Sequence, residues 1–116
     1  MPLQFRYHHI GIPTRKIRKG MTRIKHLRIR VTDHESNPFG IQWMYFDNDC
    51  PVPELVRKAP HVAFVVDDLE EALRDRKVII PPNSPSPGVM VALIEEQGAP
   101  VEFLQLRTKR RSRKRK

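Results

Sequence analysis

Apolar and polar positions alternate along most of this chain, and the alternation predicts strands far more than helices. Leu3 to Ile12 reads as one strand, ended by Pro13-Thr14. The basic stretch Arg15 to Gly20 is too short for a helix. Arg23 to Thr32 alternates with period two and predicts one half-buried strand: Ile24, His26, Arg28 and Arg30 stand against Lys25, Leu27, Ile29 and Val31. Asp33 to Pro38 predicts a turn. Phe39 to Phe46 follows as a strand, with Trp43 and Tyr45 on one face and Gln42, Met44 and Phe46 on the other. After a loop, Glu54 to Lys58 suits a helical turn.

The pattern then repeats more cleanly. His61 to Val66 predicts a strand. Asp67 is placed to cap a helix over Asp68 to Asp75, with Glu70 as its capping-box partner and Leu69, Ala72 and Leu73 on the apolar face. Lys77 to Ile80 predicts a short strand, and Pro81 to Gly88, with four prolines, a stiff loop. Val89 to Ile94 and Val101 to Leu106 predict strands joined by a hairpin turn at Glu96 to Ala99.

Read this way, the chain is two copies of one unit. His9 and His61 each head an apolar, β-branched run, and Gln42 and Glu102 each sit in the last strand of their copy. His9 precedes Gln42 by 33 residues and His61 precedes Glu102 by 41. The difference is about the length of the helix, which only the second copy has. The expected architecture is α+β: two βαβββ-type modules forming a cupped, barrel-like mixed sheet, with the first-module helix reduced or absent. Module one covers about 1–50 and module two about 58–106, within a single domain 1–106.

Strand alternation sets His9, His61 and Glu102 opposite a bulky apolar face in each run, toward the inside of a curved sheet. Two-fold pairing of the modules would bring them, with Gln42, to one cavity. Imidazole and carboxylate suit Mn, Fe, Ni, Co or Zn. His9, His61 and Glu102 would hold a divalent metal with open positions, and Gln42 would orient or complete the shell. A strand histidine taken singly is more often a hydrogen-bonded structural residue. It is the equivalent placement of two of them, with Glu102, that points to a metal. His8 is expected on the opposite face, and His26 and His34 in solvent.

Charge changes the picture only at the ends. The formal net charge is +9, but residues 107–116 hold 8 of the 22 basic residues and no acid. Residues 1–30 carry 9 Lys or Arg and no Asp or Glu, whereas residues 31–106 carry 5 against 13. The terminal run 107–116 is read as a disordered, solubilising tail. Non-specific phosphate contact is the alternative, with no aromatic interleaved for base stacking. The single cysteine, Cys50, excludes an internal disulfide and fits a reducing cytoplasm. No run of about 18 apolar residues suggests a membrane span.

The phrases His8-His9-Ile10-Gly11-Ile12, Pro60-His61-Val62-Ala63-Phe64-Val65-Val66-Asp67-Asp68-Leu69-Glu70-Glu71-Ala72-Leu73, Gly88 to Ile94 and Gly98 to Leu104 together resemble the vicinal oxygen chelate superfamily. That group includes glyoxalase I, bleomycin-resistance proteins, extradiol dioxygenases and methylmalonyl-CoA epimerase. The second module matches end to end and the first at its strands. The resemblance implies paired βαβββ modules, a metal held by His9, His61 and Glu102, and Gln42 on or near the fourth ligand position. It also implies a lyase, isomerase or dioxygenase acting on a small oxygenated substrate. Gln42 cannot take a proton at neutral pH, which leaves Glu102 as the candidate catalytic base. A non-catalytic ligand-binding module is the alternative, with Tyr7, Trp43, Met44 and Phe46 lining an apolar pocket. Homodimers are common in the superfamily, so the resemblance admits a homodimer as a further partner without deciding it.

Overall fold

Eight strands form one curled, mixed sheet, a half-barrel, in a computed structural model that describes residues 4–107. The strands are β1 (Arg6–Pro13), β2 (Thr22–Ile24), β3 (Ile29–Val31), β4 (Ile41–Phe46), β5 (His61–Val65), β6 (Lys77–Ser86), β7 (Val89–Glu96) and β8 (Ala99–Leu106). Two five-residue helices complete the α+β set, α1 (Glu54–Lys58) and α2 (Leu69–Leu73). The sheet order is β2-β3-β4-β1-β5-β8-β7-β6. Each half repeats the other: β1 runs parallel to β4 as β5 does to β8, and the remaining pairs within each half are antiparallel. The halves meet at the antiparallel β1–β5 pair.

Register makes the repeat quantitative. Gly11 lies opposite Gln42, and Ala63 lies opposite Glu102. If Gln42 corresponds to Glu102, then Gly11 corresponds to Ala63 and His9 to His61, two residues earlier in each case. The equivalence expected from the sequence is therefore built into the backbone pairing.

The helix is where the halves differ. α2 covers the outer face of the second half, where Val66, Leu69 and Ala72 bury against Ala92, Ile94 and Phe103. Its cap is Asp68, whose carboxylate accepts from Glu71 N–H at 3.1 Å, and Gln105 Oε1 accepts from Leu69 N–H at 2.7 Å. The expected Asp67–Glu70 pair is thus displaced by one residue; Asp67 instead pairs with Arg6 across the sheet end at 3.3 Å. The first half has no helix between β1 and β2. There the Arg18 guanidinium lies 4.2 Å from the Trp43 ring centre and covers part of the face a helix would take.

Two predicted elements change form. The expected strand Arg23–Thr32 is a hairpin: Lys25–Leu27 makes a 3-10 turn and Arg28 takes a left-handed conformation at φ 55°. The turn lets Leu27 pack on the inner core, so its apolar position serves a corner and not a strand face. The expected proline loop is strand to Ser86, the outer edge of the sheet, where the missing N–H groups of Pro81, Pro82 and Pro85 are tolerated. Its pairing with β7 is irregular at several points, as edge prolines impose.

The concave side holds the second core, in which Ile29, Val31 and Met44 of the first half pack with Leu93 of the second, with Val52 and with Val56 of α1. The segment linking the halves therefore contributes to the lining of the trough. Among the described residues no helix is long and apolar enough to cross a membrane. Leu3, where the first strand was expected to begin, and residues 108–116 of the basic run lie outside the described residues.

Candidate metal centre

His9, His61 and Glu102 converge at the centre of the trough. His9 and His61 are 4% and 2% exposed, and the Glu102 side chain 12%. One atom from each of the three lies within 4.8 Å of the others. Glu102 Oε1 is 2.8 Å from His61 Nε2 and 3.4 Å from His9 Nε2. The longer approach lacks hydrogen-bond geometry, and His9 Nε2 is buried without a partner. A buried imidazole nitrogen left unpaired is costly, and a cation on the common side of the three atoms would satisfy it.

Burial pushes the Glu102 carboxyl up. The His61 hydrogen bond, the approach of His9 and the charge of both rings outweigh that and hold it at about 2. Glu102 is therefore a carboxylate at any ordinary pH, as a metal ligand must be.

Two glycines shape the site. Gly11 faces the His61 ring: a Cβ there would collide with Cε1 and lie 2.7 Å from Nε2. His61 Nδ1 has no hydrogen-bond partner, so close packing against Gly11, not a bond to Nδ1, sets the ring's position on that side. Gly40, at φ 74°, lets the chain pass tightly beside β1, where a Cβ would lie 3.1 Å from Tyr7 Oη. That approach, with Ile10 N–H donating to Gly40 O at 2.9 Å, starts the parallel pairing that sets Gln42 in register.

All four expected residues line one cavity of about 400 Å³, Gln42 included. The structure also brings in two residues expected elsewhere. His8 is the unpaired residue of a β-bulge: Tyr7 opposes Phe64 and His9 opposes the next residue back, Ala63. The bulge breaks period-two alternation and turns His8 into the cavity, with its Nδ1 2.7 Å from His9 Nδ1. Burial first, then the neighbouring His9 and His34 rings, push the His8 imidazole pKa below its usual value. His34 stacks on His8 with ring centres 4.3 Å apart. Its loop is fixed by Asn37, whose Oδ1 accepts from Phe39 and Ile41 N–H at 3.0 and 3.1 Å. The signal for His34 was this Asn-Pro-Phe-Gly turn, a structured loop and not a solvated one.

Other expectations divide. Met44 and Phe46 line the cavity. Tyr7 does not: it is 53% exposed, and its hydroxyl donates to Phe39 O at 2.8 Å. Trp43 lies on the outer face under Arg18. His26 reaches across the trough to Asn83 Oδ1 at 3.2 Å.

No family model and no curated protein matches the chain. Among solved structures it is similar to the hypothetical protein BH1468 from Bacillus halodurans C-125, at 16% identity and a TM-score of 0.66, over 90% of this chain and 96% of that one. At this identity the likeness is one of fold.

Proposed function

We propose that this chain is a glyoxalase-like protein of the vicinal oxygen chelate type, binding one divalent metal through His9, His61 and Glu102, with Gln42 beside it. The observation that carries the reading is the unpartnered, buried His9 Nε2 facing the same carboxylate oxygen that His61 Nε2 engages. Two imidazoles and one carboxylate suit Fe, Mn, Ni, Co or Zn and leave coordination positions for substrate oxygens. Such an ion supplies Lewis-acid polarisation of the bound oxygens.

The protein's own part is placement. Gly11 and the bulge at His8 fix the two imidazole rings. Glu102 holds a negative charge at the centre, and the amide of Gln42 offers one donor and one acceptor to a bound oxygen without taking a proton. The reaction class this supports is a lyase, isomerase or dioxygenase step on a small oxygenated molecule. Metal analysis of the untagged protein tests it: one equivalent of transition metal is expected, and none would reject it.

A second reading, ligand binding without chemistry, draws on one observation. Among the described residues Glu102 is the only carboxylate lining the cavity, and its Oε1 is already engaged by His61 Nε2. On that reading small organic ligands bind equally well after exhaustive chelation; on the first, affinity falls with the metal.

A further inference from the structure

We infer that, apart from the oxygens the proposed function already places on the metal, the molecule bound here is an uncharged, apolar body, an inference that rests on the metal reading for those oxygens alone. The body follows from the walls. On β8, Leu104 and Leu106 succeed Glu102 on the cavity face; on β4, Met44 and Phe46 succeed Gln42. β4 and β8 run antiparallel to each other, through β1 and β5, so these two apolar rows leave the centre in opposite directions. Val91 and Leu93 continue the wall on β7. The metal centre therefore sits midway along a hydrocarbon trough, not at the end of a polar one.

Charge narrows the ligand further. Among the described residues only two charged side chains other than histidine line the cavity, Arg23 and Glu102. Arg23 is paired with Asp47 at 3.0 Å, and Glu102 belongs to the centre. Among the described residues no lysine lines the cavity, and no unpaired arginine is left there to meet a carboxylate, phosphate or sulfonate on the ligand's body. Burying such a group unpaired is strongly unfavourable. At the centre, a divalent ion with one carboxylate and two neutral imidazoles leaves one positive charge, which a singly deprotonated chelating pair neutralises.

The test uses the full chain loaded with Zn(II), its metal content verified, and straight-chain hydroxamates from acetohydroxamate to octanohydroxamate in titration calorimetry. Affinity should rise about threefold to fourfold per methylene until the trough is full. A hydroxamate of equal length ending in a carboxylate should bind at least tenfold more weakly. Leu106→Glu, at a wall position 41% exposed and so able to accept the change, should weaken octanohydroxamate and leave acetohydroxamate unchanged. Affinity independent of chain length, or indifferent to the terminal carboxylate, overturns the inference. A parallel series of 1-alkanols on metal-free protein separates the two claims. If no metal is taken up, the metal reading fails while a rise with alkanol length still supports the apolar body. A flat alkanol series there overturns the body as well.

Discussion

At the scale of single residues, the site depends on Gly11 as much as on its ligands. A methyl group at position 11 would enter the space of the His61 ring. Gly11→Ala should therefore lose metal while keeping its strand, at a cost of about 1–3 kcal/mol for overpacking; elemental analysis and chemical denaturation read the two effects separately. Glu102 gives a second prediction. Its folded pKa is held at about 2 against an ordinary 4.5. A depressed carboxyl favours the folded state above its ordinary pKa, and that contribution is lost as pH falls from about 4.5 toward about 2. Metal-free protein should lose stability across this window, and Glu102→Gln should lose less; equal slopes in denaturation midpoint against pH would contradict the account. His9, His61 and Glu102 were legible because alternation holds through β5 and β8 and through β1 from His9 onward. His8 was not, because a bulge shifts parity by one and leaves no mark in the residue pattern.

Elements were legible where pattern and environment agreed. The second module shows this, since its strands alternate and its helix carries a capping signature. The misplacement of that cap by one residue has a simple cause: Asp67 and Asp68 both have an acid three positions on, and only the backbone angle at each decides between them. Asp68 is extended and its carboxylate meets Glu71 N–H. Asp68→Ala should cost about 1 kcal/mol, whereas Asp67→Ala, which removes only an exposed ion pair, should cost under about 0.5 kcal/mol. Thermal denaturation of the two variants distinguishes them, and a larger loss at Asp67 would overturn the assignment. The β2–β3 hairpin and the long β6 strand were hidden for opposite reasons. The hairpin turns without glycine or proline, using Arg28 in a left-handed conformation. The edge strand is full of proline, yet an outer edge does not need every N–H.

For the whole molecule, the internal repeat was readable from two histidines and two last-strand polar residues, because pairing register preserves equivalent positions through a lost helix. What could not be read was the trough's lining, which takes residues from all eight strands and the link between halves. Charge is the other molecular property, and it is unevenly placed. Removing residues 107–116 takes away 8 of 22 basic residues and leaves 14 against 13 acids. The shortened chain should elute from heparin at lower salt than the full chain, with its metal content unchanged; unchanged elution would assign any phosphate contact to the body.

The most direct test of the central claim is metal content by elemental analysis of the untagged full chain beside His61→Ala. The account predicts about one equivalent of a transition metal in the first and almost none in the second. Equal content in both, or none in the unaltered chain, would contradict it.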